Sequence, residues 1–592
     1  MSVILVLVIS LVIHAIPIPP TSELFRFPTI FRWLPTRLLW GFGAWAFICL
    51  MMQMTLPWAI ITLAMSYSAL LVFSTLIQFK RGMAGAETLP KLTVCTGIIL
   101  MILIPAYAMF VNWTSDVSNA EYVDNFIIQA DSPVFENPIP DNQVRLVTSR
   151  LATFQARRIM NSIGSNVEIA AAHITVRNGR LVWVCVVVST NTLAENYLQG
   201  LIVVDANDPN QVEVITDVGQ MPVGEGLFWD KNIQFGNYLE DTSNAYEYAY
   251  LTWDPMGNLV YIQTRTNLGL DFVERPLGPK VYCANGTVRT YATLEETPEW
   301  ITQAYSEEWL ERQIARWGGY RRGDGFDLFA GGFLWTVQAS RDRLAITEDT
   351  RYIINPDTGR VEALVAVHPM EATSLTLSGF MRATKDAIYY HDMHNYSLMS
   401  GEAAVNAIIK DLPPPTSGLY YGAMPLLYPV QINSTYSRFA WYCPIYWYQS
   451  DYDSEADAYV LTDIRLYALG IVDGQHETIK AYSTSGSGEE LVRTVREAYV
   501  QSVVNALTIE PQSEENIELS ATVLNVTSYV DGGDTHIVLR TDNSTYEWIE
   551  GSKDWMPLTD WYELLTVAPG DSFTATIEKV GNQYRIVAFS KT

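Results

Sequence analysis

Cysteine is scarce, with five in 592 residues. That excludes a disulfide-dense scaffold. Positive charge is also short: 38 Lys and Arg stand against 64 Asp and Glu, a net of −26. The shortfall is uneven. Residues 1–112 hold six bases (Arg26, Arg32, Arg37, Lys80, Arg81, Lys91) and two acids (Glu23, Glu87), a net of +4. Subtracting these leaves 32 bases and 62 acids in residues 113–592, a net of −30. A body that acidic argues against a nucleic-acid partner, which needs basic surface against phosphate. Recognisable catalytic signatures are missing as well. There is no Walker loop and no dinucleotide fingerprint. Ser485-Gly486-Ser487-Gly488 does not match the strained G-x-S-x-G elbow of serine hydrolases, and reads as a flexible lead into a helix at Glu489. Aromatic residues, at 12%, are plentiful enough to exclude disorder.

Four apolar runs have no Asp, Glu, Lys or Arg in their interiors: Ser2–Ile16, Leu38–Met54, Leu56–Gln78 and Leu92–Val111. Only His14 is ionisable there. A membrane-spanning helix needs roughly 20 apolar residues, so these runs predict a four-helix transmembrane domain over residues 1–112. The first run lacks the basic flank and cleavage site of a signal peptide, which predicts a retained helix. Without buried ionisable groups the block reads as an anchor rather than an ion pathway. Gly41, Gly43 and Ala44 would permit close helix packing. Arg26, Arg32 and Arg37 mark the first loop, and Lys80, Arg81 and Lys91 the third. Basic loops stay in the cytoplasm. The expectation is a multi-pass protein of the cell membrane, with both termini and the acidic body extracytoplasmic.

A linker over residues 113–143 leads into a body in which one pattern recurs. Two strands flank a turn of Asp, Asn, Pro or Gly in Leu201–Ile215, Lys280–Tyr291, Arg351–Val365 and Ala468–Tyr482. Asn285-Gly286 and Asp473-Gly474 can supply the positive φ of tight hairpin turns. A further hairpin with an aromatic second strand is expected upstream of each: His173–Val188, Tyr248–Gln263, Phe333–Ile346 and Pro429–Tyr446. Leu181–Cys185 is apolar at consecutive positions, which predicts a strand buried on both faces. Helices are expected over Val144–Ile163, Thr297–Trp317 with Thr297 as N-cap, Gly401–Leu412 and Gly488–Val503. The fold class is α+β: two antiparallel units over residues 144–295, two more over 296–510, and a small β-barrel over 511–592. The barrel's strands are expected at Ile517–Val526, Thr535–Arg540, Thr545–Ile549, Ser572–Glu578 and Tyr584–Phe589, which suits an OB-like fold without a basic groove.

The VVDA turn at Val203–Ala206, with its preceding helix and hairpin, resembles PepSY-type domains. Together with ELLTVAPGDSF near the C-terminus, these motifs also resemble a group of large prokaryotic membrane-anchored proteins. The resemblance covers residues 144–592 loosely. It implies binding or inhibitory modules outside the cytoplasm, and it brings no catalytic residues.

Candidate chemistry is thin. His391 and His394 flank Asp392 and Met393, but a zincin helix spaces its histidines four apart with Glu between. A zinc site there competes with an ordinary surface loop. Asp451, Asp453, Glu455 and Asp457 place oxygen ligands at alternate positions, as in the start of a calcium loop. Ala456 and Thr462 stand where such a loop needs Gly and Glu, so a solvated acidic hairpin tip is the plainer reading. Cys185, Cys283 and Cys443 are isolated within strands and read as core residues, with one disulfide among them possible. N-glycosylation sequons occur at Asn112, Asn285, Asn395, Asn433, Asn525 and Asn543, all at or beyond the expected outer membrane boundary. No cofactor is called for beyond the possible calcium.

The expectation for function is a membrane-anchored extracytoplasmic binding or scaffold protein, a subunit of a larger envelope or membrane assembly. Its partners would be membrane lipid, other envelope proteins or a second copy of itself, and not nucleic acid. The alternatives are an extracytoplasmic metal-dependent hydrolase using His391 and His394, and an accessory subunit of a membrane enzyme or transporter.

Overall fold

The computed structural model describes residues 2–16, 29–80, 88–322, 325–327, 343–346, 350–370, 376–433, 436–453, 458–509, 514–531, 534–580 and 583–591. The chain forms two compact units, Met1–Tyr499 and Val500–Thr592.

The larger unit begins with the apolar helices. The first run forms α1 (Val3–Ala15). Its 13 residues reach about 20 Å, short of a hydrocarbon core of about 30 Å. The other runs lie in α2 (Thr29–Trp45, continued by a π-helical Ala46–Met51), α3 (Leu56–Lys80) and α4 (Thr88–Asp124). Among the described residues, three helices are therefore long and apolar enough to cross a membrane, rather than the four expected. α1 lies antiparallel to α2. Trp45 Nε1 donates to Val3 O at 3.0 Å, Ser10 Oγ to Gly41 O at 2.8 Å, and Arg37 Nη1 to Ile16 O at 2.8 Å. Gly41 permits this approach, since a Cβ there would sit 3.1 Å from the His14 Cβ. Gly43 meets nothing within 4 Å.

α4 is 37 residues long, or about 55 Å, so it continues past the apolar stretch into the segment expected as a linker. That extension is bonded into the body. Asn119 Nδ2 donates to Phe272 O at 3.0 Å, and Asn119 Oδ1 accepts from Glu274 N at 2.9 Å. α7 (Glu307–Tyr320) packs along it. Arg316 reaches Asp116 at 2.9 Å and Glu274 at 2.8 Å, Trp317 Nε1 donates to Asp124 at 2.8 Å, and Tyr320 OH donates to Asp116 at 3.0 Å. α6 (Ile233–Glu240) docks on the helix ends nearest the body. Its Tyr238 OH donates to Met54 O at 2.8 Å, and Tyr238 shares an apolar cluster with Val3, Val6, Ile48, Cys49, Ala59 and Leu63.

Four units follow, each a helix and then an antiparallel meander. Unit I is α5 (Ser149–Ile159), β2 (Val167–Arg177), β3 (Arg180–Ser189), β4 (Leu198–Asp205) and β5 (Val212–Ile215); β1 (Ile127–Ala130) precedes it. Unit II is α6, a broken edge strand β6 (Asn244–Ala245) and β7 (Ala249–Trp253), β8 (Leu259–Leu268), β9 (Glu274–Cys283) and β10 (Val288–Thr290). Unit III is α7, a short pair β11 (Arg321–Arg322) and β12 (Gly325–Phe326), a broken edge β13 (Leu344–Ile346) and β14 (Arg351–Ile354), then β15 (Val361–Pro369), β16 (Gly379–Ala383) and β17 (Ile388–Asp392). Unit IV is α8 (Gly401–Ile409), the broken edge β18 (Leu419–Gly422) and β19 (Leu426–Asn433), β20 (Tyr436–Asp453), β21 (Ala458–Asp473) and β22 (Lys480–Ser483). Strands pair in chain order within each sheet, and β1 adds in parallel to β17.

The recurring turn holds one surprise. In units I, II and IV it joins the third and fourth strands, but Arg351–Val365 joins the first and second of unit III. The second hairpin of unit III is β16–β17, which turns at Lys385-Asp386 between the paired residues Ala383 and Ile388. That turn has neither Gly, Asn nor Pro, and Asp386 alone gives it only a weak sequence signal. The aromatic hairpin expected at Phe333–Ile346 falls largely outside the described residues. α7 also starts later than Thr297. Ser306 caps it, accepting from Trp309 N at 3.0 Å, and Glu307 and Glu308 complement the helix dipole. Thr297 instead donates its hydroxyl to Thr293 O at 3.1 Å.

β3 is buried at every position but its first, as its sequence requires. Trp183, Cys185 and Val187 pack with α5, α7 and the unit III sheet, whereas Val182, Val184, Val186 and Val188 face Ala249, Leu251 and Tyr261 of unit II. All five cysteines are free, with Cys185 and Cys443 buried. α9 (Gly488–Ile509) follows unit IV and buries Leu491, Val492, Val495 and Tyr499.

The smaller unit contains a closed barrel of β23 (Glu514–Asp531), β24 (Asp534–Thr541), β25 (Trp548–Ser552), β26 (Ser572–Val580) and β27 (Gln583–Lys591), in the order β23-β24-β25-β27-β26. The 18-residue β23 pairs with β26 along its first half and with β24 along its second, which is what closes the barrel. α10 (Leu558–Leu565) sends Trp561 and Leu564 into its core.

The clamp on α4 gives an acid-sensitivity prediction. Burial raises the Glu274 pKa, but Arg316 and Arg312 outweigh burial and hold it below the ordinary 4.5. A depressed carboxylate contributes stability that is complete above the unfolded pKa and is lost as pH falls through the folded one. Thermal unfolding followed from neutral pH down through 4.5 should therefore show a loss of melting temperature that Glu274→Gln reduces. Arg316→Ala should cost about 2–3 kcal/mol at neutral pH, since it strips a charged donor from two carboxylates.

Candidate functional site

Between Val144 and Ser149 the chain crosses from the body's edge into α5. This strap is fixed on several sides. Leu146 N and Val147 N donate to Ala206 O at 2.8 and 2.9 Å. Trp183 Nε1 donates to Val147 O at 2.8 Å, and Tyr446 OH of unit IV donates to Leu146 O at 2.6 Å. A strap so held presents Arg145 in a fixed place.

Arg145 lies in a cavity of about 710 Å³ where the four units meet. Thr148, Ser149 and Arg150 enter from the start of α5, Trp183 from β3, and Tyr248 from unit II. Glu307, Thr350, Arg351 and Tyr352 come from unit III, and Glu402, Val405 and Tyr421–Pro425 from unit IV. Gly422 leaves room for α8, because a Cβ there would overlap Val405. The volume is in the range of small-molecule sites. Arg150 and Glu402 are exposed at the mouth, whereas Trp183 and Tyr352 are buried deeper.

The electrostatics are unusual for so acidic a body. Arg145 is 8% exposed, its Nη1 donates to Tyr352 O at 3.1 Å, and its guanidinium lies 5.1 Å from the Trp183 ring centroid. Among the described residues its Nε has no partner, and neither has Thr350 Oγ1, in a residue 5% exposed. Burial, reinforced by the nearby Arg351 charge, pushes the Arg145 pKa down to about 10. Three helices begin at this cavity. Glu307 and Glu402 sit in the first turns of α7 and α8, where an acid complements the dipole. The first turn of α5 has no acid and carries Arg150. Its N-terminal positive end is thus reinforced rather than offset.

The residues singled out in the sequence lie elsewhere. His391 is the penultimate residue of β17 and is buried. Its Nδ1–H donates to Ser132 O at 3.0 Å, and its Nε2 accepts from Arg382 Nε at 3.2 Å. Burial foremost, and the Arg382 charge, hold its pKa below the usual histidine value, so both ring nitrogens of a neutral imidazole are occupied. His394 is exposed and bonds Asp392 through Nδ1 at 2.6 Å. A metal at His391 would have to displace a protein partner, and no cluster of three or more His, Cys, Asp or Glu suited to a metal occurs among the described residues. Asp451 and Asp453 lie at the tip of the β20–β21 hairpin, and Glu455 and Asp457 fall outside the described residues. Of the sequons, Asn112, Asn285, Asn395, Asn433 and Asn525 are exposed and Asn543 is half-buried.

A second polar cluster was not foreseen in the sequence. His173 Nε2 bonds Glu225, which also accepts from Tyr261 OH at 2.6 Å and Gln234 Nε2 at 2.9 Å, between units I and II. Burial raises the Glu225 pKa, but His173 and these donors outweigh it and leave the group below its ordinary value. The cavity residues were equally unforeseen, because they are scattered from Arg145 to Pro425. One signal was present: arginine at the start of a helix, where an acid is expected. No family model matches the chain, and no curated protein or solved structure is significantly similar to it.

Buried polar groups without partners cost stability, about 1–3 kcal/mol each. If the cavity serves ligand binding, Arg145 is not a structural requirement. Arg145→Met should then leave the unfolding free energy within about 1 kcal/mol of the parent, or raise it. A loss of about 3 kcal/mol or more would assign the arginine to the fold instead.

Proposed function

We propose that the chain is a membrane-anchored extracytoplasmic binding protein that works as a subunit or scaffold of a larger envelope assembly. The central cavity carries this reading: a pre-formed, aromatic-walled space lined by three arginines, in a body whose net charge is opposite. Such a concave site with few, placed polar groups is suited to holding a ligand. The helix-then-meander order of each unit supports PepSY-like binding modules, and the closed five-strand barrel supports an OB-like reading.

Orientation rests on charge and on which helix ends touch the body. Val3, Ile48, Met54 and Ala59 lie by Tyr238 of the body. The basic positions Arg26, Arg32, Lys80, Arg81 and Lys91 belong to the opposite connections of the same helices. With those connections cytoplasmic, the body and the start of α1 are outside. The exposed sequons are then available to a glycosylating host.

A single cysteine placed at Asn210, an exposed turn residue before β5, tests this. In intact cells, Asn210→Cys should react with a membrane-impermeant maleimide. Labelling confined to inverted vesicles would put the body in the cytoplasm and end the proposal.

A further inference from the structure

The geometry points to a ligand class for the cavity: a small organic anion whose carboxylate or phosphate head lies among Arg145, Arg351 and the start of α5, with Trp183 and Tyr352 against its apolar body. This rests on the reading of the cavity as a binding site.

Three independent features converge on that head position. Arg145 and Arg351 are close enough for their charges to repel, and an anion between them turns that repulsion into two attractions. The start of α5 brings its dipole, and the backbone N–H groups that Thr148 leaves uncapped, to the same space, undiluted by any first-turn acid. Arg145 Nε and Thr350 Oγ1 are donors shielded from water and bonded to nothing among the described residues. Charge-assisted hydrogen bonds from such donors are the strong kind, and arginine's planar fork suits a two-oxygen acceptor.

The remaining lining narrows the ligand. Among the described lining residues, Glu307 and Glu402 set two carboxylates against the guanidiniums of Arg145, Arg150 and Arg351, an excess of one positive charge. That balance favours a monoanion, or a zwitterion with its amine toward the glutamates, over a polyphosphate. Trp183, Tyr248, Tyr352 and Met424 supply flat and adaptable apolar surface for a ring or a short chain.

Calorimetry on the full chain in lipid nanodiscs tests the inference, with phenylacetate, phenyl phosphate and the neutral phenylacetamide as probes. Phenylacetate or phenyl phosphate should bind at least about tenfold more tightly than phenylacetamide, as expected for hydrogen bonds to a charged acceptor. Whichever anion binds more tightly identifies the head group. Arg150→Gln, at the exposed mouth, and Arg351→Gln should each weaken the anion at least about threefold and leave phenylacetamide unchanged. Equal affinity for the neutral probe would overturn the anion assignment while leaving the cavity a binding site. Anion binding indifferent to both substitutions would place the site elsewhere and overturn it too. If none of the three probes binds, the ligand class and the cavity's binding role both fail, whereas the membrane orientation stands on the labelling experiment alone.

Discussion

An antiparallel sheet covered by one helix still has a second face, and in this body the second face of unit I is apolar. Val182, Val184, Val186 and Val188 alternate with Trp183, Cys185 and Val187 along one strand, so neither side of β3 can be left in water. Fully burying a valine is worth about 1.5–3 kcal/mol, and four of them on one face require a partner layer. Unit II supplies that layer, and units III and IV close around the other side. The remaining architecture follows from this sheet having no solvent face. The units cannot be independent beads, and their helices are brought to a common centre.

That convergence produces the cavity. α5, α7 and α8 open units I, III and IV, and the first turns of all three line it. Elements repeated in sequence thus contribute repeated chemistry to one space. The same α7 extends from the cavity at Glu307 to the long apolar helix α4 at Arg316 and Tyr320. Fourteen residues of one stiff element therefore connect the candidate site to the apolar helices.

Much of this was legible from residue pattern. The apolar helices, both-face burial of β3, most hairpins and the C-terminal barrel are local consequences of periodicity and turn chemistry. The misplacements have local causes as well. The first apolar run reads as a retained helix because it lacks a signal peptide's flank and cleavage site, but its helix covers only Val3–Ala15. The turn in Arg351–Val365 has the right composition for the second hairpin, yet composition does not say which pair of strands a turn joins. Lys385-Asp386, the turn actually used there, has neither Gly, Asn nor Pro. The cavity was not legible because no two of its charged residues lie together in sequence except Arg145 with Arg150. Only pairing and packing bring these groups together.

The body obeys local rules nearly everywhere around the cavity and breaks them at one place. Ser306 and Ser400 cap α7 and α8, with acids following in the first turn. Thr148 caps α5 equally well, accepting from Leu151 N at 3.1 Å. The caps show that the three helix starts are built alike, so the difference lies in charge alone. At α5 an exposed arginine takes the acid's position, a buried arginine stands beside it with an unmet donor, and a third guanidinium approaches from unit III. The first two raise the free energy of the empty protein. A chain that is acidic overall had carboxylates in surplus to place there. Unpaired donors and like charges gathered in a pre-formed cavity are what a binding site for negative charge requires, and neither packing nor capping calls for them.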